Sequence, residues 1–265
     1  ETIAVAPSTA KGILSESLVD LEALAEVIRK MIVSSNLKIT NVTFSLPESQ
    51  VYTKVIEMPL LSDQELSAAL KFEMEQYIPL PLDQVKTDWV ILGGGEAGQA
   101  SNKKMDVMIM AAPLTIINKY EKLSEMLNLT PSAIESEVVS VHRALLPLVN
   151  NKASHMILHI GATTSSICIV SQGIIKTIVS LPLGGTAITR AVSIDLGIDQ
   201  VQAESYKRAY GLTQDVFEGK IGKSLQPILE SIAGDIKKAI LSFREKNNNE
   251  GINQLILSGG TALLP

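Results

Sequence analysis

The sequence predicts an α/β fold in two parts. Short apolar strands alternate with amphipathic helices, and three of the later strands run directly into glycine turns. A length of 265 residues accommodates about two domains with a large buried core. The polar break at Asn150, Asn151 and Lys152 is the best candidate boundary between them.

Composition narrows the function classes. Apolar residues make up 46%, charged residues 19% and aromatics 4%, the balance of a soluble α/β protein rather than a disordered or fibrous one. A net charge of -5 argues against nucleic acid as a partner, because phosphate backbones call for clustered Lys and Arg. No stretch approaches ~18 uninterrupted apolar residues, so no membrane-spanning helix is expected. Nor does a basic start precede an apolar run in the manner of a signal peptide. The single Cys168 has no internal disulfide partner, which fits a reducing cytoplasm, and its apolar flanks make it a core residue rather than a nucleophile. The chain opens at Glu1 and stops at Pro265, just after a Gly-Gly turn, and reads as a piece of a longer protein.

The first segment reads strand, helix, strand. Leu21, Leu24, Ile28, Met31 and Ile32 form one stripe on a helix over 19–35. Val42, Phe44 and Leu46 then alternate along a half-buried strand over 41–46, and Pro47 changes its direction. From 49 to 128 the pattern is β-α-β-β-α. A strand over 51–58 ends at Pro59, and Ser62 with Glu65 forms a Ser-x-x-Glu capping box opening a helix. That helix carries Leu66, Leu70, Met74 and Tyr77 and stops before Pro79 and Pro81. Strands over 85–92 and 105–112 form a hairpin. Gly93, Gly94 and Gly95 between them lead to another strand rather than a helix N-terminus, so they read as a loop and not as a phosphate cradle. A helix over 115–127 closes the unit. The chain returns to strand and helix, the helix over 136–149. The second half has strands over 155–160, 165–170 and 174–180, helices over 186–196, 200–210 and 225–244, and a short strand over 254–257.

Four places carry candidate chemistry. The turn Gly161-Ala162-Thr163-Thr164 offers backbone amides and hydroxyls to phosphate oxygens, although hairpins also use Gly and Thr for geometry alone. Gly184 and Gly185 precede a helix, where free amides face an incoming anion; the alternative is simple capping by Thr186. Gly259, Gly260 and Thr261 follow the last strand, at the carboxyl end where ligands of doubly wound sheets sit. Glu204 and Lys207 lie three apart on a helix, either as a ligand-facing pair or as a solvent-exposed ion pair. No Gly-x-Ser-x-Gly elbow and no Cys or His pair at metal-ligand spacing occurs, so neither a catalytic set nor a metal site is expected.

These turns stand in the order found in actin-fold proteins. They resemble that superfamily's second phosphate loop, ribose/phosphate turn, adenine-side Glu-x-x-Lys pair and adenosine motif. The run Phe72-Glu73-Met74-Glu75-Gln76-Tyr77-Ile78-Pro79-Leu80-Pro81-Leu82-Asp83 narrows the resemblance, as do residues 134–145 and Leu181-Pro182-Leu183-Gly184-Gly185. Together they are similar to signatures of the PilM family of type IV pilus assembly proteins, actin-like ATPase relatives of FtsA.

The resemblance implies an actin-like (RNase H-like) two-domain fold with an FtsA/PilM-type 1C insert. Residues 1–48 and 129–150 would form subdomain 1A, lacking its N-terminal strands, and 49–128 subdomain 1C. Residues 151–199 and 251–265 would form 2A, and 200–250 subdomain 2B. It implies ATP or ADP with Mg2+ at Gly161, Ala162, Thr163, Thr164, Gly184, Gly185, Glu204, Lys207, Gly259, Gly260 and Thr261. It also implies a cytoplasmic scaffold peripheral to the inner membrane. The scaffold would bind the N-terminal peptide of PilN in a groove near 1A and 1C, for which the apolar face of the 62–77 helix is a candidate lining. Through PilN it would join the PilN-PilO-PilP platform and communicate with pilus motor ATPases.

The family's first phosphate hairpin would precede Glu1. His159 stands where the family carries an Asp acting on magnesium and its water shell; an imidazole gives magnesium no carboxylate oxygen, so weak or absent hydrolysis is expected. The other fate for His159 is a satisfied strand-end residue. The competing functions are an active ATPase or sugar-kinase relative, an FtsA-like division protein, and a nucleotide-independent peptide-binding adaptor.

Overall fold

Apolar strands in the second half of the chain build a central four-stranded sheet. The computed structural model describes residues 12–94, 104–150, 153–213 and 219–265. In order, the elements are α1 (Leu18–Ser34), β1 (Asn41–Leu46), β2 (Tyr52–Pro59), α2 (Asp63–Tyr77), β3 (Val85–Gly94), β4 (Lys104–Pro113), α3 (Leu114–Leu127), β5 (Thr130–Ser136) and α4 (Glu137–Leu145). Then come β6 (His155–Ile160), β7 (Ser165–Ser171), β8 (Ile174–Leu181), α5 (Gly185–Leu196), α6 (Gln200–Tyr210), α7 (Lys220–Lys246) and β9 (Gln254–Ser258). The strand expected before α1 and the connection at 95–103 lie outside the described residues.

The central sheet has the order β8-β7-β6-β9, with β9 parallel to β6 and the other pairs antiparallel. Both of its faces are covered, which is why β7 is buried at every position. On one face Met156, Leu158, Ile160, Ile167 and Ile169 pack against Ile232, Ala239 and Phe243 of α7. On the other, Ile157, Cys168, Val170 and Ile175 pack against Val138, Val141 and Leu145 of α4. Cys168 is thus a core residue, and burial pushes its thiol pKa up to about 12.

The β-α-β-β-α unit forms as its pattern requires. Its sheet runs β2-β4-β3, all antiparallel, with Leu66, Leu70 and Met74 of α2 buried against Ile56, Met58, Val107 and Ile109. Leu66, Leu70 and Met74 are therefore core, whereas Tyr77 at the end of α2 stays 40% exposed. Glu65 Oε2 accepts from the Ser62 amide at 2.9 Å and from its hydroxyl at 2.7 Å, completing the cap. This unit leans on β8 of the central sheet, where Lys176 pairs with Asp106 and Gly93 leaves room for Ile174. The third sheet is the parallel pair β1–β5, covered by α1 and α3.

Two helix bounds depart from expectation. Ser136 ends β5 and is the N-cap of α4, and α4 stops at Leu145 because Pro147 cannot donate to a continuing turn. Conversely, α7 begins at Lys220, ahead of Gly222 and through Pro227. Burial of Ile221, Ser224 and Leu225 against α5 and α6 outweighs the local preference of Gly and Pro to break a helix.

Candidate functional site

The three glycine turns meet at one backbone carbonyl. As β6 ends, the Gly161 amide donates to the Thr164 carbonyl at 2.9 Å and closes the hairpin. The Gly161 carbonyl then accepts from the Gly185 amide at 2.9 Å and from Thr261 Oγ1 at 3.3 Å. Beside it, the Ala162 carbonyl accepts from the Thr186 amide at 2.7 Å and the Thr186 hydroxyl at 2.8 Å. Thr186 is therefore not the cap of α5. Gly184 occupies the N-cap, and the Thr186 side chain straps the helix to the hairpin.

The close approach explains why glycines stand here. A Cβ on Gly184 would lie 2.8 Å from the Ala162 carbonyl carbon and oxygen, and one on Gly185 would lie 2.7 Å from Thr261 Oγ1. Gly259 has φ +91° and ψ 162°, and its Cβ would sit 2.3 Å from the Ile160 carbonyl oxygen. Gly260 differs, since a Cβ there meets nothing within 4 Å.

Lys207 is not the exposed half of a surface ion pair. It is 5% exposed, and its Nζ reaches Glu204 Oε2 at 2.6 Å, Thr189 Oγ1 at 3.0 Å and the Gly185 carbonyl at 3.1 Å. Glu204 also takes the Arg208 Nε–H at 2.6 Å and the Thr189 hydroxyl. Partial burial pushes the Glu204 pKa upward, but hydrogen bonds from Lys207, Thr189 and Arg208 win and hold it at about 2. The pair thus fastens α6 to the first turn of α5.

Between these elements lies a cleft of about 760 Å³, a size that holds a nucleotide. Of the expected residues, Gly161, Ala162, Gly185, Glu204, Lys207, Gly260 and Thr261 line it. Gly184 and Gly259 stand behind them as the tight turns, Thr164 is buried within the hairpin, and Thr163 is exposed at its tip. Thr186, Arg208, Leu263 and Leu264 also line the cleft. Arg208 has a sequence signal in its spacing of four from Glu204, whereas the two leucines have none. The turn amides, hydroxyls and Lys207 fit a phosphate-bearing ligand. Magnesium fits less well, because the one carboxylate lining the cleft, Glu204, is already engaged by Lys207, Thr189 and Arg208. Among the described residues no group of three or more His, Cys, Asp and Glu gathers as a metal site.

His159 stands at the end of β6, with Nδ1 3.3 Å from Ser258 Oγ and Nε2 3.4 Å from Glu137 Oε1. That placement makes it a partnered strand-end residue facing α4. A smaller cavity of about 240 Å³ lies where β2, the end of α2 and β8 meet. Its lining includes Glu48, Thr53, Lys54, Tyr77, Ile178 and Ser180. Lys54 Nζ sits 3.2 Å from the centroid of the Tyr77 ring. Burial raises the pKa of Glu48, although hydrogen bonds from Ser136 and the Val138 amide oppose it.

The family model described as type IV pilus assembly protein PilM matches residues 1–265. The chain belongs to the PilM family. A solved structure entitled PilM-PilN type IV pilus biogenesis complex superposes on 97% of this chain and 73% of its own, with a TM-score of 0.81 and 22% identity. The fold of this PilM-family chain is accordingly the actin-like one. Cell division protein FtsA of Neisseria meningitidis serogroup B (strain ATCC BAA-335 / MC58) is 23% identical over 98% of this chain and 71% of FtsA. MreB5 of Spiroplasma citri bound to ADP is also similar, at 16% identity and a TM-score of 0.48, over 92% of this chain and 65% of that one. No described helix of this PilM relative is long and apolar enough to cross a membrane.

Proposed function

We propose that this PilM-family protein is a nucleotide-switched scaffold of the type IV pilus machine. ATP or ADP, with Mg2+ held chiefly by phosphate and water oxygens, would occupy the 760 Å³ cleft. The observation that carries this reading is the convergence of three strand-end turns on the Gly161 carbonyl, beside a buried lysine. The subdomains follow the family's division: 1A at 1–48 and 129–150, 1C at 49–128, 2A at 151–199 and 251–265, and 2B at 200–250. A ligand touching α5, α6 and the segment after β9 would bias how these parts close, as linked equilibria require. Hydrolysis is weak or absent, because His159 places an imidazole where a carboxylate would otherwise reach a metal.

The partner would be the N-terminal peptide of PilN, suggested by the complex that this chain resembles in fold. Through it the protein would join PilO, PilP and the motor ATPases, staying on the cytoplasmic side of the inner membrane. We place a peptide anchor at the 240 Å³ cavity beside Lys54, Tyr77 and Ser180. Calorimetric titration with ATP and magnesium tests the switch, with Gly260→Asp as the control that puts a carboxylate in the cleft. Micromolar to millimolar binding that this variant removes is the expected result, and silence of the wild type at millimolar ATP overturns it. Ser180→Trp is expected to abolish PilN-peptide binding while leaving ATP binding intact.

One observation favours a second reading, a peptide adaptor that no longer uses nucleotide. The first two amides of α5 are consumed by the hairpin's own carbonyls, so that helix start offers less to a phosphate than its glycines suggest. The same titration separates the two readings.

A further inference from the structure

All three histidines of the chain lie along one seam, between α4 and β6. Alternation along β6 turns His155, Ile157 and His159 to the same face, and α4 covers that face with Val138, Val141 and Leu145. At one end, His159 Nε2 is 3.4 Å from Glu137 Oε1. At the other, the His142 and His155 rings stack with centroids 6.2 Å apart and planes inclined by 28°. His155 is 1% exposed. Its Nε2 and the Nδ1 of His142 are both buried without a hydrogen-bond partner, while His155 Nδ1 lies 3.4 Å from the Ala153 carbonyl.

The two ends offer an imidazole opposite surroundings. At the Glu137 end a charged imidazole meets a carboxylate. At the stacked end it meets another imidazole and a dry core, so the charge is opposed twice. Among the described residues, the surrounding elements bring no unengaged carboxylate to that end. On α4, Arg143 is taken by Glu135 of β5. Glu250, after α7, is held by the Ser154 and Ser171 hydroxyls. Opposite His155 stand Val170 of β7 and Gln254 of β9, neither of them charged. Glu48 sits at the far end of α4, beside Ser136 and Val138.

We propose that this seam is an acid-sensitive joint: proton uptake by His142, stacked on the buried His155 ring, loosens α4 from the central sheet, while the Glu137–His159 contact keeps the other end together. Burial first and the neighbouring His155 second hold the His142 pKa below its usual value. The sign follows. A depressed imidazole stabilises the seam above its unfolded value, and that contribution is lost as the pH falls toward the folded value.

The chain carries its own reporter. Cys168, its single cysteine, lies 2% exposed beneath α4 in the Val138–Ile157–Val170 cluster. A pyridyl disulfide that stays reactive in acid will label it only when the seam opens. Thiolate chemistry alone makes labelling slower as the pH drops. Divided by the rate of a free small thiol at the same pH, labelling is expected to be roughly fivefold higher at pH 5.5 than at pH 7.5, within the roughly tenfold that one depressed imidazole can release over this range. The His142→Gln variant is expected to lose this rise, and His159→Gln to keep it. A normalised rate that does not rise at pH 5.5, or an unchanged rise in His142→Gln, overturns the proposal. Hydrogen exchange of the wild-type chain, corrected for intrinsic rates, decides the matter if a variant does not fold. Acid loosening must then centre on α4 and β6, and loosening that spares them overturns the joint. His142, His155 and Cys168 do not line the nucleotide cleft, and the labelling is measured without nucleotide, so the outcome is independent of ATP binding.

Discussion

Gly259 and Gly260 are adjacent, yet alanine at each should behave very differently. At Gly259 the backbone has φ +91° and ψ 162°, a region open essentially to glycine alone. Holding an L-residue there costs about 1–3 kcal/mol. The new Cβ would also sit 2.3 Å from the Ile160 carbonyl oxygen, 2.7 Å from its carbon and 2.9 Å from its nitrogen. These are backbone atoms inside the central sheet, so they cannot swing aside, and overpacking adds about 1–3 kcal/mol. The combined loss is roughly 4 kcal/mol, which for a chain of this size lowers Tm by roughly 10 °C. At Gly260 no atom lies within 4 Å of the added methyl, and the change should stay within about 0.5 kcal/mol. Thermal unfolding followed by circular dichroism measures both. Two variants melting within ~2 °C of each other would refute the turn geometry, because its asymmetry is the whole basis of the contrast.

Three further outcomes follow from burial and charge. Glu204 is held at about 2, so its contribution is present above the ordinary carboxylate value and lost as pH falls toward 2. The stability gap between wild type and Glu204→Gln, measured by urea unfolding, should therefore shrink between about pH 5 and pH 2. Burial raises the pKa of Glu48, so its ionised form weighs against folding. Glu48→Gln, which keeps an acceptor for Ser136 and Val138, should gain stability relative to wild type as pH rises above 4.5, and denaturant midpoints at two pH values check this. Phe243 is 0% exposed between α7 and the central sheet, and Phe243→Ala should cost about 3–5 kcal/mol in chemical denaturation.

Strict local patterns were legible to the residue. The alternation in β1, the continuous apolar run of β6 and the periodicity of α6 placed all three elements with the bounds they have in the structure. The Ser62–Glu65 cap was equally readable, because its bonds close within a single turn. The Gly-turn grouping anticipated the convergence around Gly161, since strand ends on one edge of a sheet lie together. What failed were features decided by distant partners. Glu204 and Lys207 at spacing three look like any surface pair, and only the first turn of α5 makes Lys207 buried. Thr186 looks like a cap until the Ala162 carbonyl arrives from another hairpin. Pro227 and Gly222 argued for a later start of α7, but contact with α5 and α6 decided it. Nothing in the local sequence marks Glu48 as buried, because its partner Ser136 lies at the far end of an intervening unit.

The turns around the cleft are tied to one another by the same groups that a phosphate would seek. The Gly185 and Thr186 amides point at the hairpin carbonyls of Gly161 and Ala162, so the dipole of α5 is directed at protein oxygens. What remains for a ligand is the hairpin's own amides at Ala162, Thr163 and Thr164, which show no partner among the described residues, and the Thr261 hydroxyl. Of the charges lining the cleft, Lys207 and Arg208 are offset by one Glu204 that stays ionised down to about 2, leaving one net positive charge. A triphosphate would then rest mainly on backbone hydrogen bonds whose geometry depends on three turns staying in register. Binding at the cleft and cohesion of this half of the molecule are in that sense one set of interactions, and a ligand that engages them stabilises the fold by mass action. On the proposed reading, occupancy of the cleft would be felt through the register of the three turns, with no chemical turnover required.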